Sequence, residues 1–140
     1  MAYNQFGNFT YDSGLLLRAS ASLTASADGT ILDLGAGLVE GYLVIDLTSA
    51  EVATGNEIYT ISLEGSTVAA MTSTSVCLAK KVFGNLVVPM DAALSTAGRY
   101  VVPFRNEEGG TLYRYVRLSN LVAGTIDSTG IVFGAFIAKD

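Results

Sequence analysis

Apolar and polar residues alternate with a period of two over much of the chain. From Tyr42 to Thr48, Leu43, Ile45 and Leu47 fall on one side while Tyr42, Val44 and Asp46 fall on the other. This is the spacing of a strand with one face toward a core and one toward solvent. Glu57 to Glu64 repeats it, with Tyr59, Ile61 and Leu63 opposed to Ile58, Thr60, Ser62 and Glu64. The pattern predicts further strands at Leu15–Ser22, Thr30–Leu34, Ser75–Phe83 and Leu86–Met90. Another runs from Ile126 to Ala138, as one long strand or two pieces broken at Gly130 and Gly134. Asp28-Gly29, Gly35-Ala36-Gly37, Thr54-Gly55-Asn56 and Gly84-Asn85 are turn signals between them. Asp91 to Ala97 allows a single helical turn, limited by Gly98. No segment keeps a helical period over three turns.

The stretch Arg99–Leu118 carries the strongest local signal. Two aromatic and β-branched runs flank the polar turn Asn106-Glu107-Glu108-Gly109-Gly110, which predicts a β-hairpin with a loop longer than two residues. Tyr100, Val102 and Phe104 share a face of the incoming strand. Leu112, Val116 and Leu118 share a face of the outgoing one, opposite Tyr113, Tyr115 and Arg117. Arg114 falls on the apolar face, where it must pair, snorkel or reach an edge. Pro103 has no N–H for a ladder, so its strand is expected at an edge or bulged.

Short strands at this spacing predict an all-β fold. The expected architecture is an antiparallel β-sandwich, jelly-roll-like, of roughly eight strands. An immunoglobulin-like sandwich is the alternative, but the chain has no Trp and one Cys. Residues 1–12 stand apart as an extended N-terminal aromatic arm, and 13–140 form a single β-sandwich domain. Tyr3, Phe6, Phe9 and Tyr11 are spaced for neither a clean strand nor a long helix. The expectation is that the arm buries its rings in a groove, its own or a neighbour's. Phe6 and Phe9 are then candidate anchors on a neighbour, with Tyr3 and Tyr11 flanking them.

Composition sharpens this picture. In 140 residues half are hydrophobic and 15% charged, which is too apolar for a disordered chain. The low charge suggests either burial in an assembly or a surface of Ser, Thr and Gly. Net charge is −5, but residues 1–70 hold one base, Arg18, against eight acids, while 71–140 hold seven bases against five acids. An acidic chain is a poor partner for nucleic acid. The basic and aromatic run Tyr113-Arg114-Tyr115-Val116-Arg117 is better explained by Tyr packing and by Arg pairing with acids of the first half than by base stacking. Cys77 stands alone in an apolar run and is expected to be a buried, inert thiol. The start of the chain shows no basic region and no apolar run, so no signal peptide is expected. No run is long enough to cross a membrane as a helix. Asn8-Phe9-Thr10 fits a glycosylation acceptor but means little without secretion.

The candidate chemistry is sparse. The chain has no His, which removes the usual nucleophile triads and the common zinc and non-haem iron sites. No enzyme activity, cofactor or metal is expected. Glu107 and Glu108 are adjacent but sit in the predicted loop, and Asp28 and Asp127 also read as turn residues. Asp33-Leu34-Gly35-Ala36-Gly37-Leu38-Val39-Glu40-Gly41 comes near a dinucleotide fingerprint, but its third glycine is one residue late and no βαβ unit follows. Glycines turning the chain between strands explain it better.

Several short motifs together resemble the capsid cementing (decoration) proteins of tailed bacteriophages, of the type found in a Bordetella podophage. They are Ala2-Tyr3-Asn4-Gln5, Asp12-Ser13-Gly14-Leu15, Gly98-Arg99-Tyr100 through Phe104-Arg105-Asn106, and Tyr113-Arg114-Tyr115-Val116-Arg117-Leu118. The resemblance implies a jelly-roll-like sandwich that self-associates, as a dimer or a trimer, and clamps neighbouring major capsid subunits. It implies a place on the capsid surface of the virion, after synthesis in the host cytoplasm, with no nucleic-acid or membrane partner. Tyr3, Phe6, Phe9, Tyr11, Arg99, Arg105, Tyr113, Arg114, Tyr115 and Arg117 are the interface candidates. A carbohydrate- or receptor-binding sandwich of a phage tail or fibre is the alternative, with Tyr113 and Tyr115 as exposed rings. A carboxylate-based hydrolase comes last.

Overall fold

The computed structural model describes residues 13–72, 75–85 and 94–139. A 3₁₀ turn at Ser13–Leu15 leads into β1 (Leu16–Leu23), followed by β2 (Ala27–Asp28), β3 (Leu32–Asp33), β4 (Glu40–Ala50) and β5 (Ile58–Ser66). Then come β6 (Val76–Gly84), β7 (Gly98–Arg105), β8 (Glu107–Glu108), β9 (Thr111–Leu112), β10 (Tyr115–Ala123) and β11 (Ile131–Lys139). One sheet, A, has the order β1-β11-β4-β7. The other, B, has the order β2-β10-β5-β6, with β3 also pairing β10. All ladders between these strands are antiparallel. With β2 and β3 taken as one interrupted strand, the long strands divide between two packed sheets in the order of a jelly roll.

The core lies where the alternating patterns meet. Leu43, Ile45 and Leu47 of β4 and Ile131, Phe133, Ala135 and Ile137 of β11 face Tyr59, Ile61 and Leu63 of β5 and Val116 and Leu118 of β10. Phe83 of β6 meets the Tyr100 ring edge-on at 4.9 Å, the arrangement the ring quadrupoles favour. Tyr59 is buried, and its hydroxyl donates to the Glu51 carbonyl at 2.9 Å. Burial, then the nearby Glu51 and Glu57 carboxylates, push this phenol up to about 12.

Several expectations change here. Arg99–Leu118 is not one hairpin: β7 pairs β4 in sheet A and β10 pairs β5 in sheet B, so the chain crosses between sheets. Only β8 and β9 pair with each other, Glu107 with Leu112 and Glu108 with Thr111. Their connection is the two residues Gly109 and Gly110, at φ 60° and 87°, a left-handed pair that glycine adopts without steric cost. Leu112 is therefore not on the face of Val116 and Leu118 but stands in β9, exposed. Arg114 precedes β10 and is exposed rather than aimed inward. Cys77 is also exposed, not buried. The β5–β6 register slips between Leu63 opposite Ala79 and Glu64 opposite Cys77, and one inserted residue reverses which side chains point in. Pro103 does sit on an edge strand, β7. The predicted strand 86–90, residues 91–93 of the possible helical turn and the arm 1–12 lie outside the described residues, while 94–97 form no helix and Leu94 bridges Gly84.

The outer faces of the two sheets differ in chemistry. On sheet A, registers Leu16↔Phe136, Phe136↔Val44 and Val44↔Val101 align one apolar side chain from each of the four strands. The next row is Ala138, Tyr42 and Pro103. Val44, Phe136 and Ala138 are buried at 0%, 4% and 3% exposure, although they point away from the core. On sheet B the outer rows are Arg117 with Glu64, Ser119 with Ser62 and Leu121 with Thr60.

Candidate interaction surface

The strongest preorganised feature lies where the chain passes from β7 to β10. Asn106 is fully buried, and every polar group it has is used. Its Nδ2 donates to the carbonyls of Gly37 and Tyr113, each at 3.1 Å, and its Oδ1 accepts from Val39 N at 2.7 Å. Its backbone N donates to Val39 O, and its carbonyl accepts from Tyr113 N. One side chain thus ties the glycine-rich loop before β4 to the segment that leads from β9 into β10. Buried amides are stable only when so satisfied.

Charged groups reinforce the same junction. Arg114 holds Asp33 through two bonds, at 2.6 and 2.9 Å, the planar fork that guanidinium makes with carboxylate. Asp33 also accepts from Gly35 N at 2.8 Å. The Arg114 bond first, then the Gly35 bond, hold this carboxyl down at about 2. Leu34 N donates to Arg114 O at 2.8 Å. Glu107 accepts from Gly110 N at 2.8 Å and pairs with Arg105 at 3.3 Å. These contacts fit the reading of Glu107 as a turn residue. The junction presents two exposed apolar side chains, Leu38 in the loop before β4 at 49% and Leu112 in β9 at 43% exposure. Beside them a cleft of about 490 Å³ is lined by Glu40, Cys77, Leu78, Pro103, Phe104, Arg105, Glu107 and Glu108.

The candidate residues divide between places. Arg105, Tyr113 and Arg114 belong to this junction, and Tyr115 follows at the start of β10, where Arg114 lies 5.5 Å from its ring centre. Arg117 lies further along β10, half-buried between Asp28 at 3.4 Å and Glu64 at 3.6 Å. Arg99 is on sheet A, bonded to Asp46 at 2.7 and 3.0 Å and 5.4 Å from the Phe136 ring centre. Arg99, Arg114 and Arg117 thus all pair with acids of the first half, as the charge distribution suggests. Arg105 pairs locally. Tyr3, Phe6, Phe9 and Tyr11 lie outside the described residues.

Sequence reasoning missed Asn106, Leu38 and Leu112. Asn106 reads as an ordinary turn residue because two of its partners, Val39 and Gly37, are 67 and 69 positions away. Leu38 hides in the glycine-rich stretch that mimics a nucleotide motif. Glu51 was also missed. Its carboxylate collects the backbone N–H groups of Asp127, Ser128 and Gly130 and the Ser128 hydroxyl. The Asp127 N–H, then the Ser128 hydroxyl, hold it down at about 2. Among the described residues no three His, Cys, Asp or Glu side chains are grouped to hold a metal ion. The comparisons add no relative: no protein-family profile and no curated protein matches the chain.

Proposed function

We propose that the protein is a structural cement that binds the outside of a viral shell and stabilises joints between major capsid subunits. The observation that carries this reading is the locked junction. Leu38, in the loop before β4, and Leu112, in β9, stand exposed next to residues that a saturated, buried asparagine ties together, so a partner meets apolar side chains that need little further ordering. Arg105, Tyr113, Arg114 and Tyr115 surround it with the residue types that dominate interfaces. The motif resemblance supports the same reading. A contact of about 1,600 Å² gives specific binding, and shell symmetry repeats it. Self-association as a dimer, or as a trimer, belongs to the reading, as does a place on the virion surface.

The test uses capsids stripped of the protein. Leu38→Asp combined with Leu112→Asp should leave the melting temperature within a few degrees, because both side chains are exposed. Occupancy should fall about 30-fold or more in affinity, since a central anchor contributes about 2 kcal/mol. Full occupancy by the double variant, or only a few copies of wild type per particle, would contradict the proposal.

A second reading is favoured by one observation. A cavity of about 480 Å³ between β1 and β10 is lined by Arg18, Asp28 and Asn120 above Leu17 and Leu118. Asn120 is 3% exposed and its Oδ1 has no hydrogen-bond partner. Planar polar groups over an apolar floor suit a sugar ring, as a carbohydrate-binding sandwich requires. Titration with mono- and disaccharides, followed by amide shifts at Asn120 and Gly29, distinguishes it from the cement reading.

A further inference from the structure

The chain has five arginines, and four of them pair with acids. Arg99 holds Asp46, Arg105 holds Glu107, Arg114 holds Asp33, and Arg117 sits between Asp28 and Glu64. Arg18 makes no ion pair among the described residues. One terminal nitrogen donates to the Ala21 and Ser22 carbonyls, each at 3.0 Å, while its Nε is buried without a partner. Burial lowers the pKa of this guanidinium, and a half-buried charge left without a counterion is costly.

The local chain explains why Arg18 points inward. The β1–β11 register shifts on both sides of it, and it stands opposite Ala135 on the core face of β11. Bulges re-aim side chains in this way. Its guanidinium lies 4.7 Å from the centre of the Phe133 ring, inside the mouth between the sheets. Sheet B answers with Asn120. Val116, Leu118, Asn120 and Val122 share the inner face of β10, and Asn120 is the polar one. It is 3% exposed, and its Oδ1 has no partner.

Arg18 and Asn120 line the same cavity of about 480 Å³, above Leu17 and Leu118. Asp28 lines it too, but its carboxylate is held by Arg117 at 3.4 Å. Arg18 also borders a second cavity, of about 350 Å³, where Arg99 bonds both oxygens of Asp46. Each acid lining the two cavities is therefore already engaged. The first cavity offers a ligand an unpaired cationic donor, an unpaired acceptor and an apolar floor. A carboxylate suits the donor through a charge-assisted bond, a hydroxyl suits the acceptor, and the C–H face of a ring suits the floor.

We infer that this cavity takes an acidic sugar, a hexuronic acid, with its carboxylate on Arg18 and a ring hydroxyl donating to Asn120 Oδ1. The volume lies in the range of small-ligand pockets, about 300–1,000 Å³. The inference names the sugar class for the carbohydrate reading of this cavity and rests on that reading. The cement reading does not depend on it.

The experiment is titration of the full chain at low salt with glucuronate and galacturonate, with glucose and galactose, and with acetate, read by the amide shifts of Asn120 and Gly29. At least one uronate should bind about 5-fold or more tighter than its neutral counterpart, because a hydrogen bond to a charged group is worth more than a neutral one. Added salt should narrow that margin. Arg18→Gln should abolish the preference, and Arg18→Lys should keep part of it. Equal binding of acidic and neutral sugars would overturn the inference and leave the carbohydrate reading standing. No shift with any sugar would overturn both. Acetate binding as tightly as the uronates would also overturn it, since the sugar ring would then contribute nothing.

Discussion

The outer faces of the two sheets are built by the same alternation and do opposite things. On sheet B the outward positions are Ser, Thr and an ion-paired Arg117, with Leu121 standing in solvent. On sheet A the outward positions Val44, Phe136 and Ala138 are as buried as the core, next to an exposed row that holds the Asp46–Arg99 ion pair. A period of two says which residues share a face. It does not say whether that face meets water.

The comparison breaks most visibly at Phe136. Phe136→Ala should cost about 3 kcal/mol or more, as for a core aromatic. Leu121→Ala on sheet B should stay within about 0.5 kcal/mol. Denaturant titration of both variants measures the difference, and equal small losses would make the two faces equivalent.

Asn106 comes next. Asn106→Ala leaves the Val39 N–H and the Gly37 and Tyr113 carbonyls without their side-chain partner. The expected loss is about 2 kcal/mol, the desolvation penalty of buried unmatched groups. Chemical shifts should move in residues 35–39 and 107–113 and leave the outer face of sheet A unchanged.

The smallest expected effect is on pH dependence. Glu51 and Asp33 are both held at about 2, below their ordinary values of 4.5 and 3.8. A carboxyl with a depressed folded pKa contributes stability above its unfolded pKa and loses it as pH falls through the folded one. Thermal stability should therefore decline between about pH 4.5 and pH 2. Glu51→Gln and Asp33→Asn should each lower the melting temperature at neutral pH and flatten that decline. An acid limb identical to wild type in both variants would remove these carboxylates from the account.

The sequence made strand identity and inward faces legible where alternation is strict, as at Leu43-Ile45-Leu47 and Tyr59-Ile61-Leu63. It also foreshadowed Arg114 and Arg117 pairing with acids of the first half. It did not reveal partners. Tyr100 and Val116 look like two arms of a hairpin, yet they belong to different sheets, because local pattern carries no information about which edge a strand joins. Cys77 was misplaced for a related reason: a single bulge inverts the parity of everything beyond it. Val44 reads as outward and therefore wet, yet it is buried, since alternation alone does not say whether a face meets water. Of the contact surface, Arg105, Tyr113, Arg114 and Tyr115 were legible from residue type, while the Asn106 clamp depends on contacts formed only on folding.

Binding of the combined Leu38→Asp and Leu112→Asp variant to capsids stripped of the protein tests the proposed contact surface most directly. The account predicts an affinity about 30-fold or more below wild type with a melting temperature within a few degrees of it. Wild-type affinity in the double variant would contradict it.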